Sequence, residues 1–442
     1  MVQREIAVIG GGIAGLGSAW LLSRRYDVTL FERNDYIGGH SNTVDAPAGA
    51  GESTPVDTGF IVYNEPNYPH LSGLFRHLDV PTRASDMSFA FSCTEADVEY
   101  AGDNLNTLFA QRRNLLRPRF WRMAGDVLRF NADARRRLGA GMTEDLTLGA
   151  YLEGLGVSRA FMEHYLLPMS AAIWSCPQSR MLDFPAIRFL RFFEKHGLIS
   201  LTNRPPWRTV RGGSREYVRR MTGGISRVVS DTPVRRVVRG AEGVTLHGEQ
   251  GLLGRFDEVV VAAHADEALA MLEAPTEDER RVLGGFRYQP NEAVLHTDPA
   301  AMPRRRSVWS SWNHLSEGFD GNRPVAVTYW MNRLQGLETR EPLFVTLNPL
   351  SPPDPAKVIR RMTYDHPVFD LAACNAQRLL PTIQGRDRIW FAGSYAGYGF
   401  HEDALASAVR VASALGVSAP WQQQPEPETA PAVTGNPVEA LP

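Results

Sequence analysis

Residues 5–15 read Glu5-Ile-Ala-Val-Ile-Gly-Gly-Gly-Ile-Ala-Gly15, an apolar run that passes directly into a glycine turn and then into helical sequence. The apolar part has the length and composition of a buried strand. Gly10, Gly12 and Gly15 satisfy G-x-G-x-x-G, and Glu32 closes the next apolar run, Asp27-Val-Thr-Leu-Phe-Glu32. The first glycine allows a tight turn. The second lets a pyrophosphate approach the backbone, at a helix N-terminus opened by Ile13 and Ala14. The third lets that helix pack close to the strand. Glu32 is placed to accept hydrogen bonds from ribose hydroxyls. The glycine pattern alone is weak; between a strand and a helix, with an acid about twenty residues on, it is a specific sign of a dinucleotide site.

The chain has 442 residues, room for two domains or one large interleaved one. Hydrophobic content of 43% and charged content of 22% are those of an ordinary globular protein, and a net charge of -2 predicts no general affinity for nucleic acid. Cys93, Cys176 and Cys374 are far apart and form no C-x-x-C. They read as reduced thiols of a cytoplasmic protein, with no disulfide frame and no metal site. The apolar start carries three consecutive glycines and runs on into a second strand, so it reads as a βαβ unit and not as a signal peptide. No apolar run is long enough to predict a transmembrane helix.

Charge is uneven. Residues 111–137 hold nine arginines against Asp126 and Asp133, interleaved with Phe120, Trp121 and Phe130. Residues 185–221 hold nine basic residues against Glu194 and Glu216, with Phe189, Phe192, Phe193 and Trp207. Both stretches suit contact with an anionic membrane surface at the inner face, and both equally suit solvated helix faces.

Beyond residue 45, short strands are expected at Ser88–Ser92 and Asp97–Tyr100, after a helix from Tyr68 to Val80. Apolar residues recur at three- and four-residue spacing over Leu105–Phe109, Trp121–Leu138, Leu146–Leu155, Arg159–Ser170 and Ala186–His196, which predicts a helical cap. Strands return over 226–262. Arg388-Ile-Trp-Phe-Ala-Gly-Ser394 is a second buried strand entering a glycine turn, with a helix from Asp403 to Leu415. The expected fold is α/β. A discontinuous Rossmann-like domain with a parallel sheet takes residues 1–75, 205–270 and 385–417. An α+β substrate domain with a helical cap takes 76–204 and 271–384. Residues 418–442, rich in Pro, Gln and Glu, read as a disordered tail.

With these segments in order, the sequence resembles the superfamily of flavin-containing amine oxidases and carotenoid desaturases, and within it a bacterial branch of FAD-binding oxidoreductases associated with fatty-acid modification. The likeness rests on the opening turn, Phe31-Glu32-Arg33, Ile37-Gly-Gly-His40, Asp57-Thr-Gly-Phe-Ile-Val-Tyr-Asn64, Gly212-Gly213, Thr232-Pro-Val-Arg235, and Phe391-Ala-Gly-Ser394 through Gly399-Phe-His-Glu-Asp403. It covers the chain to about Gly416. It implies non-covalent FAD, with Gly10, Gly12, Gly15 and Glu32 on the ADP half. Arg33, Gly39, His40 and Ser41 would line the pyrophosphate and flavin approach, and Val234 would reach the adenine. Gly393 and Ser394 would lie near the ribityl chain, with Phe400 and His401 against the flavin. It also implies an amine-oxidase-like fold and oxidation or desaturation of a hydrophobic substrate such as a methylated fatty acyl chain of membrane phospholipid.

Three departures stand out. His40 replaces an arginine common in relatives, and Ser394 replaces an acidic partner of the ribityl chain. The strand Asn291–His296, where amine oxidases place a lysine near flavin N5, has none; Lys195 and Lys357 are the chain's two lysines. Amine oxidation with release of hydrogen peroxide and a non-catalytic FAD-containing partner protein stay open as alternatives.

His401, Glu402 and His296 are the titratable candidates for proton transfer. Glu402 and Asp403 are also what a helix start favours, and His296 reads more readily as a histidine of a core strand. Trp174, Tyr329 and Trp330 are candidates to line an apolar substrate tunnel and Tyr63 to contact the flavin or substrate, though aromatic residues at such positions often serve packing alone. One dinucleotide fingerprint gives no support for a second nucleotide site, and the sequence leaves the oligomeric state undetermined.

Overall fold

The computed structural model describes residues 4–49, 51–141, 146–200, 204–319, 321 and 324–422. The apolar run becomes strand β1 (Glu5–Ile9), and the turn delivers helix α1 (Ile13–Leu22), every residue of which is buried. Strands β2 (Asp27–Phe31), β3 (Arg227–Val229), β4 (Glu258–Val261) and β5 (Ile389–Phe391) join β1 in one sheet of order β3-β2-β1-β4-β5, with all pairs parallel. The near-continuous hydrophobic strands follow from burial on both faces of a parallel sheet. Gly15 makes the close packing possible: a Cβ there would stand 1.7 Å from the Gly10 carbonyl oxygen.

A second sheet has seven strands, mostly antiparallel, in the spatial order 358–368, 287–296, 344–347, 326–330, 312–316, 89–93 and 98–101. A small sheet of residues 63–64, 207–210 and 82–85 lies apart from both. The helices used below are α2 (Pro69–His77), α3 (Pro118–Gly139), α4 (Ala186–Lys195), α5 (Arg215–Thr222) and α6 (His401–Ala414). Helix α6 packs along α1, so the closing helix is fastened to the opening one.

The expected tail begins too early. Residues 420–422 form a 3-10 turn, Ala419 is buried, and the Trp421 ring stacks on Trp20 at 6.2 Å. Trp421 Nε1 also donates to His70 Nδ1 at 3.2 Å. An indole that buries its faces on a groove overrides the polar composition around it. Residues 423–442 lie outside the described residues. Trp421→Ala is expected to lower stability by about 1–3 kcal/mol, less than for a fully enclosed tryptophan, as read from a thermal melt.

Candidate active site

A cavity of about 760 Å³ opens at the carboxyl ends of the parallel strands and extends against the second sheet and α4. Ligands of open parallel sheets bind at that edge. At one end it is lined by Gly10, Gly12, Ile13, Ala14, Glu32, Arg33, Val234 and Arg235. Gly10 has φ +106°, and a side chain there would meet the Ala262 carbonyl at 2.7 Å. Gly12 differs: a Cβ built on it meets no protein atom within 4 Å, because it projects into the cavity. The α1 N-terminus has no side-chain cap, so its amides are presented to that space. Gly39, at φ +57°, closes over Gly12 with its Cβ direction 3.1 Å from Gly12 Cα.

Glu32 is buried and already organised by the chain. Oε2 accepts from Gly11 N–H at 2.6 Å, and Oε1 accepts from Asn34 N–H at 2.9 Å and from Asn34 Nδ2 at 2.8 Å, leaving an Oε2 lone pair for a ribose hydroxyl. Arg33 pairs with Glu267 at 2.5 Å and senses Glu32 and Asp365. The closing turn supplies Gly393, Ser394, Tyr395 and Phe400 to the lining. Gln377 holds it, donating to the carbonyls of Tyr395 at 2.7 Å and Gly397 at 2.6 Å. The Tyr395 ring packs on Phe286 at 4.9 Å, and its buried hydroxyl has no hydrogen-bond partner among the described residues. Open space over Gly12 and uncapped amides together fit a dinucleotide cofactor.

His40 also lines the cavity, with its ring 4.8 Å from Tyr364 and 5.2 Å from His366. Burial, then the neighbouring histidines, holds it well below the ordinary imidazole value, and burial pushes His366 down to about 4. This chain therefore places a neutral ring at position 40 of the cavity wall.

The far end is aromatic. Trp174 lies 4.6 Å from Phe192, Phe192 stacks on His196 at 3.9 Å and on Phe400 at 5.2 Å, and Trp207 lies 6.2 Å from His196. Met87, Ile173, Leu198, Trp312 and Tyr329 complete it. The charged lining residues, Glu32, Arg33, Arg235, Glu267 and Asp365, belong to the glycine-turn end. No lysine lines the cavity among the described residues.

The sequence candidates separate cleanly. The structure brings Trp174, Tyr329, Phe400 and His401 to the cavity with the glycines, Glu32, Arg33, His40 and Val234. Gly15 and Ser41 stand behind the lining: Gly15 packs the turn, and Ser41 Oγ bonds the Tyr217 hydroxyl and His401 Nε2, the latter at 3.0 Å. The His401 ring stacks on Phe60 at 3.8 Å and its Nε2 also meets Tyr217 at 3.1 Å. Burial pushes it down to about 3, so it is a neutral link between α6 and α5.

Glu402 points elsewhere. Its carboxylate accepts from the His70 and Leu71 amides at 2.8 and 3.0 Å, capping α2. Burial raises it to about 7. Asp403 accepts from Phe400 N–H at 2.9 Å and starts its own helix. His296 is fully buried in the second sheet, with Nε2 2.8 Å from Thr346 Oγ1 and Nδ1 accepting from Asp298 N–H. It is not among the residues that line the cavity. Tyr63 packs on Tyr68 and Phe75, and Trp330 packs on Trp309; neither lines the cavity.

His196 is the site residue that sequence reasoning missed. It follows α4 directly, and its Nδ1–H donates to the Phe192 carbonyl at 2.9 Å. A carbonyl only accepts, so the tautomer is fixed and Nε2 keeps its lone pair. Burial lowers it to about 4, leaving the ring neutral at pH 7. The signal was its i, i+4 spacing from Phe192 on a predicted helix.

Comparison with known proteins agrees with this geometry. The family model for flavin containing amine oxidoreductase matches residues 13–336. A Mycobacterium tuberculosis protein described as a flavin-containing monoamine oxidase, AofH, is 27% identical over 335 residues, covering 74% of this chain and 70% of its own. The fold is shared with a conjugated-linoleic-acid-producing fatty acid isomerase from P. acnes, at TM-score 0.65 and 15% identity over 94% of this chain and 99% of that one. It is also shared with cyclohexylamine oxidase from Brevibacterium oxydans, at TM-score 0.64 and 17% identity over 93% and 99%.

Proposed function

This chain belongs to the flavin containing amine oxidoreductase family, is an FAD-dependent oxidoreductase, and from that premise we propose that it oxidises or desaturates a hydrophobic, lipid-like substrate such as a phospholipid acyl chain. One observation carries the reading: the aromatic end of the cavity contains no aspartate, glutamate, lysine or arginine among the described residues. An apolar chain loses nothing on entering such a space, whereas an ammonium ion would be desolvated without a counter-charge. Bound FAD supplies the two-electron acceptor, and the protein's part is to orient the reacting carbon and exclude water.

Among the described residues His196 Nε2 is a free acceptor at this end, suited to hold a substrate hydroxyl, while its lowered value of about 4 makes it a weak base. His196→Phe keeps the stack on Phe192 and removes the acceptor. It is expected to slow flavin reduction about a hundredfold through lost positioning of the substrate while leaving the flavin spectrum unchanged. An unchanged reduction rate would remove His196 from the chemistry.

The second reading, amine oxidation, draws on the monoamine oxidase relative and on the aromatic rings, which attract cations through their faces. Anaerobic mixing with membrane lipid extract should bleach the flavin if the substrate is a lipid. Release of hydrogen peroxide with a panel of amines, and no bleaching by lipid, would overturn the lipid reading in favour of the amine. A flavin that neither reduces would point to a carrier role.

A further inference from the structure

We propose that α3 and the turn before it form a docking surface for an anionic phospholipid bilayer. The helix carries two faces. Phe120, Met123, Phe130 and Ala134 point into the core. The outer face exposes Trp121, Gly125, Leu128 and Ala132, at i, i+4, i+7 and i+11, which forms one continuous stripe. Trp121 is 51% exposed and Leu128 57%. The preceding turn adds Leu115 and Leu116, the latter 87% exposed, and the Trp121 indole donates to the Leu115 carbonyl at 2.9 Å, which joins the turn to the helix.

Arginines flank the stripe. Arg122, Arg129 and Arg136 recur at seven-residue spacing along one side, with Arg119 and Arg135 also exposed. The acids of this helix are turned inward: Asp126 accepts from Ser158 N–H at 2.7 Å and Asp133 from the Tyr151 hydroxyl at 2.9 Å. Arg129, Arg136 and Arg137 touch those acids from the outside. No ion pair engages Arg119, Arg122 or Arg135 among the described residues. The outward face is therefore apolar along its middle and cationic at its edges.

That combination selects the occupant. Exposed leucines and a tryptophan suit the boundary between headgroup and acyl chain, and arginine stems lie along it with their heads among phosphates. Nucleic acid would use the arginines and leave the leucines in water. The second basic stretch behaves differently: Phe189, Phe192 and Phe193 are buried, while Arg208, Arg215 and Arg220 pair with Glu65, Asp45 and Glu216. Helix α3 packs on α4, whose Phe192 lines the cavity, so the docking face lies one helix from the cavity wall. The docking proposal does not depend on the lipid being the substrate.

The test is flotation of the full-length, FAD-loaded protein with vesicles of phosphatidylcholine alone or mixed with phosphatidylglycerol. Binding is expected only to the anionic vesicles, and weaker at high salt. Trp121→Ala with Leu128→Ser, and separately Arg122→Glu with Arg135→Glu, are each expected to weaken it roughly tenfold or more with the flavin spectrum retained and the protein folded by circular dichroism. Absence of vesicle binding by the unaltered protein would overturn the proposal. So would binding that both variants retain, or self-association of the unaltered protein that the Trp121→Ala, Leu128→Ser variant abolishes.

Discussion

Replacing Gly12 with valine is expected to yield a folded, colourless protein. Gly12 has φ −71° and ψ 177°, a conformation that valine adopts readily. A Cβ added there meets no protein atom within 4 Å, so the backbone accommodates a side chain at this position. The branched side chain instead fills the space before the uncapped α1 amides, where a pyrophosphate must come close to the backbone. The expected loss in FAD affinity is at least about a hundredfold, roughly 3 kcal/mol, since the overlap cannot relax without moving the helix. Gly15→Ala makes the contrast. Its Cβ would stand 1.7 Å from the Gly10 carbonyl, so that variant should lose the fold itself. Absorbance of the purified proteins and their circular dichroism separate the two outcomes; a yellow Gly12→Val protein would contradict the assignment.

The parts of this molecule that sequence made legible are those whose pattern is local. A buried strand, a glycine turn and an amphipathic helix each declare themselves within about fifteen residues, and so β1, α1 and α6 were readable. Which face a residue takes is less accessible. Tyr329 and Trp330 are neighbours on one strand, so only one can face the cavity, and the alternation alone does not say which. His296 lies in an apolar strand and meets Thr346 from across the sheet, a pairing set by register with residues fifty positions away. Glu402 was expected at a helix start and does cap one, but that helix is α2, reached only through tertiary packing. Trp421 was concealed by the polar residues around it.

Acidification from pH 7 to 5 is expected to destabilise the protein strongly, and histidine is the cause. His40, His70, His164, His196, His296, His314, His366 and His401 are all held below the ordinary imidazole value, with burial the first cause for each. Below about pH 6.5 the unfolded chain takes up protons at these sites while the folded chain does not. Stability then falls with pH, by up to about 1.4 kcal/mol per group per unit, down to the lowered values near 4 and 3. Asp57, Glu402 and Asp403 act oppositely. Burial raises them to about 6, 7 and 6, so the folded state gains protons first and stability rises as pH falls through those values. Eight imidazoles outweigh three carboxyls, and the melting temperature should drop by more than about 5 °C over this range. His314 isolates the effect, because neither ring nitrogen has a partner among the described residues and the ring stacks on Phe91 at 5.6 Å. His314→Phe removes an unsatisfied buried polar ring without breaking a hydrogen bond. It should raise the melting temperature at pH 5 more than at pH 7, whereas an equal rise at both values, or a fall, would show that His314 does not contribute to the acid sensitivity.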